Sequence, residues 1–395
     1  MRWFVPGRLE VLGKHTDYAG GRSLLAAVDR GITVTLDDAD HGLTATTTAI
    51  PGELALTAGA PTGLPAGHWG GYVQTVIDRL TLNFGELRPA RIEIDSDLPL
   101  ASGMSSSSAL VVGTALALID HNALRERPEW AAEIDSDIDL AGYLATIENG
   151  LSFGSLTGHR GVGTFGGSED HTAMLCCRPG RLTEFTFCPI VERGSVPLGP
   201  EWTFVVAVSG VLAEKTGAAL ASYNRASALA RDLVATWNSA TGSDHAVLAD
   251  AIASDEDAVE GLRAVSAHDP ALSSRLTAFL TESEVVIPRA VAALTAGDMG
   301  AFGRAVDLSH RNAADVLGNQ VPATDRLQAL ARELGAVAST GFGAGFGGSV
   351  WALVPTVDAE TFAADWLGRY LAEFPANAAG ATTVLTRPGG PARAL

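Results

Sequence analysis

The sequence predicts an α+β protein of two domains, on three observations. Short β-like segments broken by Gly, Pro or Asp fill residues 1–60, Ala-rich helical patterns dominate from residue 214 onward, and glycine-rich stretches without periodicity punctuate both blocks. A length of 395 residues suits two domains. The composition shifts near residue 200, which places them at 1–200 and 201–395. A hydrophobic fraction of 47% against 18% charged residues describes a globular chain able to bury a sizeable core. The formal charge of −18 and pI near 4.8 speak against nucleic acid or an anionic membrane as partner. Any cationic site for an anionic ligand must therefore be local. Cys176, Cys177 and Cys188 are odd in number and far from zinc spacing, which fits a reducing compartment. Met1 leads straight into R-W-F-V-P-G-R with no leader pattern, and no apolar run reaches membrane-span length, so a cytoplasmic protein is expected. Monomer and weak dimer are both compatible with the sequence.

Taken in order, strands are expected at Trp3 to Val5, Leu9 to Leu12, Ile32 to Leu36, Leu43 to Thr47 and Leu54 to Thr57. A helix at Trp69 to Leu82 precedes a strand at Arg91 to Ser96, and buried helices follow at Ala109 to Ile119 and Asp139 to Asn149. Gly150 to Gly167 is glycine-rich and aperiodic, the mark of a functional or irregular loop. Strands resume at Thr172 to Cys177, Leu182 to Phe187 and Trp202 to Val208. Helices are then expected at 214–238, 246–265, 272–296, 299–317 and 324–335, and strands at Val350 to Val354 and Thr382 to Leu385 flank a helix near 358–373.

Four stretches carry chemistry. Leu98 to Leu110, L-P-L-A-S-G-M-S-S-S-S-A-L, turns on Pro99 and Gly103 into a run of serines and then an apolar helix. One Ser suffices as a cap. Four hydroxyls beside the unpaired N–H groups of a helix start, with the positive end of its dipole, suit a phosphate and a metal ion. Pro6 to Gly21 gathers Arg8, Lys14, His15 and Asp17 between glycine turns. There Asp17 and His15 suit sugar hydroxyls and Arg8 a charged group. Gly161 to Met174 sets Asp170 between a glycine-rich turn and an expected strand. Gly341 to Gly348 contains G-x-G-x-x-G, yet the expected context of helix before and strand after rules out a dinucleotide fingerprint. A loop packing on the other domain's site is the better reading. No P-loop sequence is present.

Together these motifs resemble the GHMP kinase superfamily, most closely its galactokinase branch, over nearly the whole chain. Gly7 to Gly21 is similar to the family's G-R-x-x-x-x-G-E-H-T-D-Y-x-G-G, Pro99 to Ser107 to its P-x-G-x-G-L-S-S-S, G-S-E-D-H to its G-x-M-D-Q, and Gly341 to Ser349 to its M-T-G-x-G-F-G-G-C. Ser222, Tyr223, Asn224 and Arg225 match S-x-Y-N-x-R. The resemblance implies a two-domain fold with the active site between the domains and ATP-dependent phosphorylation of a sugar at its anomeric hydroxyl. Asp170 and Arg8 would be catalytic. Ser102, Gly103, Ser105, Ser106, Ser107 and Ser108 would cradle ATP, and Mg²⁺ would be held by Ser107, with Ser106 as alternative, and Glu148. His15, Asp17 and Tyr223 would read the sugar.

Departures from the pattern bear on the substrate. Lys14 replaces a Glu that binds the sugar's terminal hydroxyl in the family, and the segment between Glu148 and Asp170 is longer, adding His159 and Arg160. A cation cluster of Lys14, His159 and Arg160 at the sugar end implies an anionic, galactose-like substrate such as a uronic acid or a phosphorylated heptose or octose. Galactose itself is the alternative, and a non-catalytic sugar and ATP sensor is a reading of another class. Ala101 replaces the first loop glycine and His171 the family's Gln.

Overall fold

The computed structural model describes residues 1–65, 67–99, 103–211 and 217–395. Strand β1 (Arg2–Leu12) runs through what reads as two strands in sequence, because register shifts at Pro6/Arg8 and Glu10/Leu12 absorb the Pro-Gly interruption as bulges. From Val5 on, every residue of it is buried. The alternation of a half-solvated strand is therefore missing, while Arg8 and Glu10 share one face and Leu9 takes the other. Strand β2 (Arg22–Asp38) is longer than expected for the same reason, since Ser23 to Val28 is buried throughout. β3 (Leu43–Thr47), β4 (Ile50–Leu56), α1 (Trp69–Phe84) and β5 (Ala90–Ser96) follow. α2 (Ser106–His121) is buried at every position from Ser108 to Ile119, so it is clamped as a rigid rod under the serine loop.

After α3 (Pro128–Ala131) and α4 (Asp137–Asn149) comes a correction: Glu169–Cys176 is a helix, α5, where a strand over Thr172 to Cys177 was expected. An apolar run this short and this buried has no readable period. Glu169 and Asp170 occupy its first turn, where the helix dipole favours carboxylates. β6 (Arg181–Thr186) and β7 (Val191–Pro197) complete the first half.

The second half contains β8 (Trp202–Ser209), α6 (Gly217–Thr241), α7 (Leu248–Ala253), α8 (Ala258–Ser266), α9 (Pro270–Phe279), α10 (Ile287–Thr295), α11 (Met299–Arg311), α12 (Pro322–Glu333), β9 (Ala338–Phe342), β10 (Ser349–Pro355), α13 (Ala359–Glu373), β11 (Ala381–Thr386) and β12 (Arg393–Ala394). Leu280–Val286 joins α9 to α10 as a π-helical segment, and Asn312–Leu317 extends α11 as another. The helix expected over 246–265 is split between α7 and α8, where the Asp255 carboxylate accepts the Asp257 N–H in place of a helical bond.

Among the described residues the strands divide into two sheets. The first has eight strands in the order β12-β1-β2-β5-β3-β4, with β6 and β7 continuing from β2; the second has four, β11-β8-β10-β9. The change of sheet falls between Pro197 and Trp202. One apolar core spans both halves, joining Val5, Leu9 and Val34 to Phe204, Trp351 and Leu353. The chain ends by crossing back to the first sheet. Gly389 N–H donates to Ala27 O (2.8 Å), Ala392 N–H to Met174 O (2.8 Å), and Ala394 pairs with Trp3.

Where β1 crosses β2, Gly31 leaves no room for a side chain: a Cβ there would lie 2.1 Å from the Val5 carbonyl oxygen, a backbone atom. Gly31→Ala is expected to destabilise the fold by about 1–3 kcal/mol, read as a lower urea midpoint. An unchanged midpoint would show that β1 can shift to make room.

Candidate active site

β1, α2, α5, the loop between β1 and β2, and the turn between β9 and β10 converge on one cavity of about 470 Å³. At its base Arg8 Nε donates to Asp170 Oδ1 (2.6 Å) and Arg8 Nη1 to the Gly103 carbonyl (2.6 Å). Arg8 is 5% exposed. Burial opposes its charge, but Asp170, Glu169 and Glu10 around it outweigh that and raise its pKa, so it stays protonated. Asp170 Oδ2 accepts the hydroxyls of Ser105 (2.7 Å) and Ser108 (3.2 Å).

The serine loop thus divides its labour differently from a simple cap. Ser105, at the head of α2 with φ 56°, makes no side-chain cap bond and turns its hydroxyl to Asp170. Ser106 and Ser107 line the cavity at the first turn of α2, where backbone N–H groups have no helical partner. Ser102 and Ala101 lie outside the described residues. Glu148, at the end of α4, lines the same wall, with Oε1 3.2 Å from His171 Nε2. One carboxylate and one hydroxyl are hard oxygen donors, too few for an all-protein cage, and they fit a Mg²⁺ ion whose remaining ligands are phosphate and water.

His15, Asp17 and Tyr18, carried by the loop 13–21, form another wall. His15 Nε2–H donates to Ala344 O (3.0 Å), so Nδ1 accepts the Tyr18 hydroxyl (2.8 Å). Burial drives the imidazole down to about 4, which keeps it neutral at pH 7. Burial, reinforced by Asp170, raises the Asp17 carboxyl, whose Oδ2 accepts the Glu169 N–H (3.4 Å). The Tyr223 ring stands 5.2 Å from that of His15. Asn224 ties the preceding loop down through Phe165 N–H and Gly163 O.

Three residues expected at the sugar end are elsewhere. Lys14 does not line the cavity: Nζ donates to Ser309 Oγ (2.9 Å) and lies 4.0 Å from Glu282 Oε1, with the side chain 2% exposed. Lys14 and His15 stand in a turn in which His15 adopts φ 58°, and there His15 faces the cavity while Lys14 faces Glu282 and Ser309 of the second domain. His159 and Arg160 are on the surface, and His159 approaches Asp78 on α1 (4.0 Å). The cause is a tight reversal in which Phe153 and Leu156 exchange backbone bonds and Phe153 packs against Tyr143. The glycine loop also has a strand before it, β9, not a helix. Gly343 to Gly348 closes a hairpin in which Ser349 pairs with Phe342, and the absence of a following helix still excludes the dinucleotide motif.

Two cavity residues escaped the sequence reading. Glu10 Oε2 accepts the Gly343 N–H (3.2 Å), and Glu169 lies 3.7 Å from Arg8 Nε while accepting the Ser23 hydroxyl (2.8 Å). The signal for Glu10 was available, since it stands two residues from Arg8 on an otherwise apolar strand. Burial pushes the Glu10 carboxyl up to about 7. The native state thus keeps a proton that the unfolded chain releases near pH 4.5, and the associated stability, complete below that pH, is lost as pH rises through 7. Glu10→Gln keeps an acceptor for Gly343 but cannot ionise. The variant's unfolding free energy relative to wild type is expected to improve steadily from pH 5 to pH 8 in urea titrations. A pH-independent difference would contradict this.

Comparison with known proteins agrees with this geometry. Residues 1–37 match the galactokinase galactose-binding signature, residues 71–158 the GHMP kinases N terminal domain, and residues 290–372 the GHMP kinases C terminal domain. The galactokinase of Roseiflexus sp. (strain RS-1) is 27% identical over 370 residues, 93% of this chain and 86% of that protein. That of Streptomyces coelicolor is 27% identical over 92% of this chain and 87% of its own. The crystal structure of Lactococcus lactis galactokinase complexed with galactose superposes with a TM-score of 0.81 at 21% identity, covering 100% of this chain and 95% of that one. A shared fold at this coverage, the signature at residues 1–37 and the two kinase domain matches have one reading: the chain belongs to the GHMP kinase superfamily and, within it, to the galactokinase-like sugar kinases, phosphotransferases with an alcohol group as acceptor.

Proposed function

We propose that this protein transfers the γ-phosphoryl group of ATP to the anomeric hydroxyl of a neutral, galactose-like sugar, giving a sugar 1-phosphate and ADP. One observation carries the reading: the Arg8–Asp170 pair lies at the head of α2 in the same cavity as His15 and Asp17. The sugar oxygen attacks the γ-phosphorus, the bond from that phosphorus to the β-phosphate oxygen breaks, and the hydroxyl proton passes to Asp170. Arg8 keeps Asp170 ionised until then and opposes the charge on the transferred group. Ser105 and Ser108 fix the Asp170 carboxylate plane, so the acceptor is aimed before substrate arrives.

The first turn of α2, with Gly103, Ser106 and Ser107, receives the triphosphate. Ser107, with Ser106 as alternative, and Glu148 would hold Mg²⁺, with His171 Nε2 3.2 Å from Glu148 Oε1. When bound, that ion neutralises phosphate charge. The far end of the cavity is apolar, with Ile32, Ile94, Trp69 and Tyr72, and suits a purine ring. His15, Asp17 and Tyr223 read the sugar hydroxyls. The catalytic cleft lies between an N-terminal domain, 1–200, and a C-terminal domain, 201–395. Free Cys176, Cys177 and Cys188 support a cytoplasmic setting.

A neutral sugar is favoured over an anionic one because Arg8 is the one Lys or Arg among the described residues that line the cavity, against Glu10, Asp17, Glu148, Glu169 and Asp170. With Lys14, His159 and Arg160 elsewhere, a uronate would enter a site that is acidic among the described residues, Arg8 being already paired with Asp170. In an ADP-release assay with Mg²⁺, galactose is expected to exceed galacturonate, glucuronate and phosphorylated heptoses by about ten-fold or more in kcat/KM. A preference for any of the anions would overturn the neutral class. Asp170→Asn is expected to bind sugar in calorimetry yet lose about 10²-fold or more in kcat. Near-normal turnover would remove Asp170 from the reaction.

A further inference from the structure

The loop that carries His15, Asp17 and Tyr18 is held at both ends by two consecutive residues of the other domain. Glu282 Oε1 accepts the Gly13 N–H (3.0 Å) at the loop's entry, and Ser283 Oγ accepts the Arg22 N–H (3.1 Å) at its exit. Both lie in the π-helical segment Leu280–Val286, whose wider turn departs from regular helical spacing. Arg275 of α9 donates to the His15 carbonyl between them. Ser309 Oγ passes a second hydrogen bond to Glu282 Oε1 (2.8 Å) and receives one from Lys14 Nζ (2.9 Å). The Lys14 and Glu282 side chains are 2% and 1% exposed, and their charges stand 4.0 Å apart. No solvent is at hand to screen either charge if its partner goes. His15 itself holds φ 58°, a backbone state that a non-glycine residue keeps only when its surroundings impose it.

We propose that Lys14 and Glu282 are a positioning pair that sets sugar affinity from outside the cavity, through the entry to the His15–Asp17 loop. The proposal rests on the sugar-kinase reading of that loop. Neither residue touches the sugar. Lys14→Met leaves the Glu282 carboxylate facing Glu10 with no Lys14 charge to offset it, Glu282→Gln leaves Lys14 to draw on Glu10 instead, and removing both charges leaves Gln at 282 able to accept from Gly13 and Ser309. The apolar end of the cavity, built on α1, β2 and β5, is remote from this loop and is unaffected.

The test is a double-mutant cycle of Lys14→Met and Glu282→Gln. D-galactose affinity is read by calorimetry, alongside KM for galactose and ATP, kcat and Tm. Each single variant is expected to weaken galactose binding by about ten-fold with ATP KM within about two-fold, and the double variant to return within about three-fold of wild type. Unchanged galactose affinity in Glu282→Gln would overturn the pair. So would a Lys14→Met loss that persists undiminished in the double variant, the mark of a direct Lys14–sugar contact. Parallel losses for galactose and ATP that track Tm would show a merely structural role and also overturn it. Because calorimetry needs no turnover, absence of kinase activity would refute the kinase reading while the binding cycle still judges the pair.

Discussion

A single buried guanidinium organises the chemistry of this molecule. Arg8 sits among Glu10, Glu169 and Asp170, donates to Asp170 and to the Gly103 carbonyl, and so ties β1 to α5 and to the start of α2 at once. Its charge favours the ionised form of the carboxyl groups around it, although burial still holds Glu10 and Glu169 above the usual carboxylate range. Between the bulges of β1 the ordinary alternation of a strand turns both Arg8 and Glu10 to the cavity while Leu9 stays in the core. The ion pair and the apolar core are therefore two faces of one strand, and a change in either reaches the other.

The two domains share more than a cleft. One of their apolar clusters reaches across both, and the glycine hairpin places Gly343 against Glu10 and Ala344 against His15. The Glu10 and His15 sides of the site are thus supported from across the domain boundary. Preorganisation of this kind suits phosphoryl transfer, in which the protein does little covalent work and positions and neutralises groups instead.

Much of this was legible in residues. The Pro-Gly turn and serine run announced the helix start, the length and apolarity of Ala109 to Ile119 its burial, and the glycine turns around Arg8 and Asp17 a polar site. Asp170 was visible as an acid beside a glycine-rich loop, though the segment after it reads as strand because a short, fully buried run hides its period. Lys14 illustrates the deeper limit. Its identity marks it as unusual, but the direction its side chain takes depends on Glu282 and Ser309, which are remote in sequence and carry no motif. His159 and Arg160 went astray for a related reason: two apolar anchors, Phe153 and Leu156, decide where the loop's polar tip goes.

The returning tail has a consequence for how the molecule is made. β12 covers the outer side of β1, so the apolar strip of Trp3, Phe4 and Val5 presents open backbone donors and acceptors until the tail arrives. During synthesis that strip is made well before its cover. Until residues 393–394 are made the nascent chain therefore carries an adhesive sheet edge, and the Ala394–Trp3 pairing ends that exposure by tying the segment that follows the second sheet back to the first.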